Sequence, residues 1–469
     1  MANPYVEAYG NKKILFRYRN RNYSFALSHG LFSSGDIDIG SRFLLKILSQ
    51  ILDADMAASV PLPRRILDAG CGIGVLGICA AGAIAGVYVR AQDRDELARQ
   101  FTIHNAETNG LDPLAFEVYT EPLLSAEHLP AAESGDNWDL ILTNIPAKAG
   151  KPVLQDFISR SAKMLAPSGR VIMVAVNTLA DFFRIQITEN NLYLISETRG
   201  AGHTVFVYGQ AQSAQSDTAE KAACAHTQEA GEPMLTDPAP AEPAPADFFD
   251  KYPAYLRSSN DYLMENIEYR IDAVQGAEDF DNPGGEIQAV SKLLYRIKSG
   301  VTFPQTVFEG PILVYEGGPG HFSAWLIRML NGNLQAPLVL AGRNILALEA
   351  AKHNSQAAFS ANGIEAPDVR IIPSADLLLD CGSIKKTINP EGYSMIAVFP
   401  QIVPMTDRLE SIWEGLTKTL APGGLALIGL PSTDAERFDR KKPQLFTRCS
   451  DIRRSGFRAM GFLRTDTEK

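Results

Sequence analysis

Short apolar blocks alternate with longer stretches of mixed character along most of the chain. That is the pattern of buried strands separated by helices, and it predicts a parallel α/β sheet. Residues 11–28 alternate apolar and polar positions around an Asn-rich turn, which predicts a β-hairpin. A helix is expected over 43–52. An apolar strand at Ile66-Leu67 turns through closely spaced glycines into a helix over 76–85. Strands are expected at 87–89 and 116–119, with a helix over 96–110 between them that Asn109-Gly110 stops. A strand at 138–143, a helix over 153–165 and a strand at 171–176 continue the alternation. Residues 193–196 and 204–208 close it as an antiparallel pair.

The pattern breaks at residue 209. Residues 209–248 are rich in Ala, Glu, Gln, Ser and Pro and end in a Pro-Ala repeat, so they cannot bury apolar area and predict a disordered linker. Beyond it the first outline returns. Ile312 to Tyr315 leads into Glu316-Gly317-Gly318-Pro319-Gly320, and Ala361-Asn362-Gly363-Ile364 echoes the end of the earlier helix. Trp138 to Gly169 spans 31 residues, and so does Tyr393 to Gly424. A divergent tandem duplicate is expected.

Length and composition narrow the class. A chain of 469 residues with 45% apolar content predicts two or three domains with real cores. The apolar runs are shorter than the roughly 18 residues a membrane helix needs, and no secretory leader is read at the start. Five scattered cysteines fit a reducing cytoplasm and form no metal-ligand spacing. The net charge of −10 is uneven: residues 1–208 carry 19 basic and 21 acidic side chains, 209–250 carry 1 and 8, and the remainder 24 and 25. The acidity belongs to the linker and does not argue against a nucleic-acid substrate for the first half. The hairpin holds five basic residues and no acid, interleaved with Tyr18 and Tyr23, a composition suited to RNA phosphates and stacked bases, or equally to a solvated strand face.

The chemistry centres on Asp68-Ala69-Gly70-Cys71-Gly72-Ile73-Gly74. A strand, a glycine turn and a helix start form a nucleotide-sized site at the carboxyl edge of a parallel sheet. Asp93, 25 residues after Asp68, ends the next strand, where an acid meets ribose hydroxyls. Cys71 needs only to be small there. Glu121 follows the third strand, within reach of an adenine amine or merely exposed in a loop.

These residues resemble the S-adenosylmethionine (SAM) loop of class I methyltransferases. Gly30-Leu31-Phe32-Ser33, Asp38-Ile39-Gly40-Ser41 and Asn105-Ala106 with Asn109-Gly110-Leu111 narrow the resemblance to the small methyltransferase domain family, which includes small-subunit rRNA guanine-N2 methyltransferases. The resemblance implies two Rossmann-like domains, each a mostly parallel seven-stranded sheet with helices on both faces: 1–208 active, 249–469 degenerate, and 209–248 between them. It implies SAM as cofactor, held by Asp68, Ala69, Gly70, Gly72, Gly74, Asp93, Arg94, Glu121 and Asn144, with the segment before the loop closing over the methionine end.

The fourth strand delivers Asn144-Ile145-Pro146-Ala147, resembling the Asn-Pro-Pro motif of amine methyltransferases. There the Asn144 side-chain oxygen and the Ile145 carbonyl would accept the two N–H bonds of an exocyclic amine and aim its lone pair at the methyl group. Ile145 replaces a proline, which removes a fixed φ, and Ala147 supplies no ring to stack on a base. In the second half, Ala341-Gly342-Arg343-Asn344 stands where Asp93 is expected and Phe399-Pro400-Gln401-Ile402 where Asn144 is, so the ribose acid and the amine acceptor are missing and a fold without SAM turnover is expected. The expected function is methylation of an exocyclic amine, guanine N2 of ribosomal RNA, by a cytoplasmic enzyme with RNA as partner and neither membrane nor metal. The alternatives are methylation of adenine or of a protein glutamine amide, and a non-catalytic SAM- or RNA-binding scaffold.

Overall fold

A computed structural model describes residues 3–32, 34–125, 137–210, 247–279, 281–299, 305–364, 368–388 and 391–465. The expected linker lies almost wholly outside the described residues. The chain begins with a short helix α1 (Pro4–Tyr9) that the apolar pattern does not announce, capped by the Asn3 side chain. The hairpin follows as β1 (Gly10–Tyr18) and β2 (Arg21–Ser28). Its two-residue turn puts Arg19 and Asn20 at φ 45° and 60°, the left-handed pair whose twist matches antiparallel strands. Helix α2 runs over Ile39–Ala57, starting earlier than expected because the Asp38 side chain accepts the Ser41 N–H and caps it.

The first sheet then forms from β3 (Arg65–Ala69), β4 (Tyr88–Asp93), β5 (Phe116–Thr120), β6 (Trp138–Asn144), β7 (Leu165–Val176), β8 (Leu192–Arg199) and β9 (His203–Gln210). Their order across the sheet is β5-β4-β3-β6-β7-β9-β8. All pairs are parallel except those made by β9. Neighbouring residues on the central strands serve opposite faces. Ile66, Leu140 and Leu142 pack with α2, helix α3 (Val75–Ala83), helix α4 (Glu96–Thr108) and the hairpin; Leu67 and Ile141 pack with Phe157 and Phe183 on the other side. The order of strand placement switches sides at β3, with β4 and β5 to one side and β6 onward to the other, and all of β3, β4 and β6 run parallel, so their carboxyl ends lie together at one edge of the sheet.

The second half repeats this plan. It has its own hairpin, β10 (Leu256–Met264) and β11 (Ile267–Val274), and a sheet of β12 (Ile312–Tyr315), β13 (Leu338–Gly342), β14 (Val369–Pro373), β15 (Tyr393–Val398), β16 (Leu420–Pro431), β17 (Phe446–Arg454) and β18 (Phe457–Arg464). Its order, β14-β13-β12-β15-β16-β18-β17, is the same permutation. The expected pair of mostly parallel seven-stranded Rossmann-like sheets is therefore what forms.

The halves join through equivalent turns. The Glu96 N–H donates to the Arg343 carbonyl and the Ile345 N–H to the Arg94 carbonyl, each at 2.9 Å. Among the described residues no helix is long and apolar enough to cross a membrane.

Candidate active site

Asp68 ends β3 fully buried. Its Oδ2 accepts the Gly77 N–H of α3 at 2.7 Å, and its Oδ1 is buried without a partner among the described residues. Burial, with a smaller push from Asp93, raises its pKa to about 7. The loop above it places Gly70, Gly72 and Gly74 at φ 75°, 58° and 85°, where a side chain is strained. Gly74 is also crowded: a Cβ there would sit 2.8 Å from the Thr102 methyl. Nothing lies within 4 Å of a Cβ built at Gly72, so the middle of the loop faces open space.

Helix α4 holds this loop. The Thr102 hydroxyl donates to the Gly72 carbonyl at 2.8 Å, and Asn105 Nδ2 donates to the Ile73 carbonyl at 2.9 Å. Asn105 also exchanges hydrogen bonds with the backbone of Ala26, tying β2 to the same loop. Cys71 is buried and its thiol is pushed well up by burial, which suits packing and not nucleophilic attack.

Asp93 ends β4 beside the loop. Its Oδ2 accepts the Gly72 N–H at 2.9 Å and its Oδ1 the Asp95 N–H at 3.0 Å, leaving each oxygen a further lone pair. Burial first and Asp95 second raise its pKa. The Ala69 carbonyl accepts the Thr143 hydroxyl at 2.8 Å, locking the ends of β3 and β6 together. Arg94 is placed differently from the acids. Its guanidinium lies against Gly276 of the second half. The Glu121 carboxylate is held by Arg90 Nη2 at 2.9 Å, under a guanidinium that stacks on the Tyr119 ring.

Asn144 ends β6. Its Nδ2 donates to Asp38 Oδ2 at 2.8 Å and to Ser41 Oγ at 3.0 Å. Ile145 is buried in the core with Leu67 and Leu154, which fixes the backbone that a proline would otherwise fix. Pro146, Ala147 and Lys148 are exposed at the rim. The sequence shows Asp38 and Ser41 in a recognisable pattern, but their contact with a residue over a hundred positions away is not legible in it.

The hairpin corrects one expectation. Tyr18 and Tyr23 are buried, Tyr23 at 1% exposure, stacking on Phe25 and facing Gly82. Neither ring can stack on an RNA base. Arg19 pairs with Asp53, and Arg21 donates to the Asn109 carbonyl. Lys13, Leu15 and Arg17 remain on the outer face, with Leu15 81% exposed.

In the second half, Gly320 caps its helix in the left-handed region as Gly74 does. Counting back from these caps sets Val314 opposite Asp68 and Glu316 opposite Gly70. Gly342 ends β13 as Asp93 ends β4, and Phe399 follows β15 where Asn144 ends β6, buried against Phe322. The second half therefore has no acid opposite Asp68 or Asp93 and no amide opposite Asn144. Among the described residues no group of three or more His, Cys, Asp or Glu could hold a metal ion.

The family model for the methyltransferase small domain matches residues 22–200. The uncharacterized protein YbxB of Bacillus subtilis is 31% identical over 159 residues, 34% of this chain and 71% of that protein. The chain belongs to the methyltransferase small domain family. Among other small-domain relatives, the ribosomal RNA small subunit methyltransferase C of Hahella chejuensis is 31% identical over 150 residues, but the match spans only 38% of that protein's length. A T. thermophilus 16S rRNA N2 methyltransferase, solved with AdoMet and guanosine, shares the fold across both halves: TM-score 0.56 over 98% of this chain and 99% of that one, at 15% identity. The cofactor of this small-domain fold is SAM. The partnerless Asp68 Oδ1, the lone pairs of Asp93 and the open space over Gly72 suit a ligand that carries an ammonium and a ribose diol.

Proposed function

We propose that the first half methylates an exocyclic amine, guanine N2 of ribosomal RNA, from SAM. The observation that carries this reading is the orientation of Asn144. Its amide nitrogen is turned to Asp38 and Ser41, so its oxygen is the end left for an incoming amine. SAM, when bound, supplies a methyl group on a sulfonium. Asp93 would take the ribose hydroxyls and the glycine loop the methionine side. Asn144 Oδ1 and the Ile145 carbonyl would accept the two amine N–H bonds, which draws the nitrogen lone pair out of conjugation and points it at the methyl. No strong base is needed for that step. The similarity to small-subunit rRNA methyltransferases supports RNA as the acceptor. The exposed Lys148 and the outer face of the hairpin offer cations for its phosphates.

Mass spectrometry of rRNA nucleosides with and without the gene tests the reading. Loss of an N2-methylguanosine in the deletion supports it. An unchanged nucleoside profile, or a methylated ribosomal protein in its place, overturns it. In vitro, Asn144→Ala is expected to lower turnover by about 10²-fold or more, the scale of losing one transition-state contact.

A further inference from the structure

We propose that Asp38 and Ser41 are positioning residues for Asn144: they hold its amide nitrogen, decide which end of the amide faces the substrate, and strengthen its oxygen as an acceptor. This rests on the reading of Asn144 as the amine acceptor.

An asparagine has two nearly isosteric ends, and only one is useful here. Its oxygen accepts an amine N–H; its own NH2 would oppose it. A carboxylate can only accept, so the end that faces Asp38 Oδ2 at 2.8 Å must be the nitrogen. A half-turn of the amide would set oxygen against oxygen. It would also forfeit a charge-assisted hydrogen bond worth about 1.5–3 kcal/mol, roughly tenfold or more in population. Donation to an anion also polarises the amide and leaves its oxygen more negative. Ser41 Oγ, at 3.0 Å, takes the second N–H.

The segment is shaped for this contact. Asp38 is fixed in turn because its Oδ2 accepts the Ser41 N–H at the start of α2. Gly40 stands between them. A Cβ there would lie 2.8 Å from Asp38 Oδ2 and 3.4 Å from Asn144 Nδ2, so a side chain at this position would push the Asp38 carboxylate out of its place.

The second half supplies an internal control. A Cβ on Gly40 would meet the His203 ring that opens β9, and one on Gly285 would meet the Phe457 ring that opens β18. Gly285 is therefore the counterpart of Gly40, which places Pro283 opposite Asp38 and Glu286 opposite Ser41. Where Phe399 replaces the amide, the clamp is replaced with it.

The test uses the full chain. Asp38→Ser keeps a side chain able to cap α2 but too short to reach Asn144; Asp38→Asn keeps an uncharged acceptor; Ser41→Ala removes the second contact. Single-turnover methyl transfer to small-subunit particles from the deletion strain is expected to fall about 10–10²-fold for Asp38→Ser, since each 1.4 kcal/mol is tenfold. Asp38→Asn should fall less and Ser41→Ala a few-fold, with S-adenosylhomocysteine affinity and melting temperature near wild type. Independently of activity, the Asn144 side-chain NH2 resonances, assigned by their absence in Asn144→Ala, should shift on Asp38→Ser. An unmoved NH2 signal, an unchanged rate, or a rate loss matched by lost S-adenosylhomocysteine affinity would each overturn the clamp. A wild-type chain that methylates no RNA refutes the acceptor reading instead, and the NH2 shift still reports on the clamp.

Discussion

Asp68 is a fully buried carboxylate that, among the described residues, accepts one hydrogen bond, from the Gly77 N–H. A pKa raised to about 7, from an ordinary value near 3.9, means the folded chain binds that proton more tightly than the unfolded chain. Its contribution to stability is therefore full below about pH 4 and fades as pH rises to about 7. Without cofactor, the protein should lose stability across that window. Asp68→Asn, whose oxygen can still accept the Gly77 N–H, should flatten the slope. Denaturant melts at several pH values, with and without S-adenosylhomocysteine, check this; equal slopes in wild type and variant would show that Asp68 is not the group responsible. The loop acids and glycines were legible because their spacing is local. The Asp38–Asn144 contact was not, because only the folded sheet brings the start of α2 to the end of β6. Ile145 was legible as a departure, but not as a departure that burial makes good.

At the scale of elements, the duplicated asparagines show what the motif residues do. Asn105 joins three backbone groups: the N–H and carbonyl of Ala26 on the hairpin and the Ile73 carbonyl on the loop. Asn354 repeats this in the second half with both backbone groups of Asp272 and the Pro319 carbonyl. Truncating either leaves buried backbone groups unpaired, at about 1–3 kcal/mol for each group. Asn105→Ala and Asn354→Ala should therefore destabilise by comparable amounts in denaturant melts. Only Asn105→Ala should also weaken S-adenosylhomocysteine in calorimetry, because only its loop is flanked by carboxylates at the ends of both neighbouring strands, Asp68 and Asp93. Equal effects on cofactor affinity would refute the division of labour between the loops. Alternation in the sequence predicted both strands of the hairpin but not which face turns inward. Ile14, Phe16, Tyr18, Tyr23 and Phe25 share one face by register, and packing against α3 and α4 buries it.

At the scale of the whole molecule, residues of the second half's sheet edge reach across to the loop that ends β4. Glu316, held in the left-handed region at the place of Gly70, accepts the Arg343 N–H at 3.0 Å, and Gly342 leaves room for its carboxylate. Arg343, nearly buried, reaches across the interface to bind both oxygens of Asp95 at 3.1 and 2.6 Å and the Gly30 carbonyl at 2.9 Å. Asp95 caps α4, and its N–H is the donor that holds Asp93. Helix α1 also docks on the second half: Tyr9, which lines a cavity with Glu316 and Arg343, donates to Asp376, and Tyr5 donates to Asp380, each at 2.6 Å. A second half placed this way should act on Asp93 through Asp95. Removing one member of a mostly buried ion pair strands the other, at about 3–5 kcal/mol, so Arg343→Ala should lower stability sharply. It should also weaken S-adenosylhomocysteine by about three- to tenfold, since 1.4 kcal/mol is tenfold. With Asp95→Ala it should show a coupling energy of about 1–3 kcal/mol in a double-mutant cycle. If both single variants bind cofactor as wild type does, the second half's contribution lies elsewhere, and Arg343 serves only to join the halves. If affinity falls in both while Arg343→Lys recovers part of it, Asp95 is the route by which the second half steadies the ribose site.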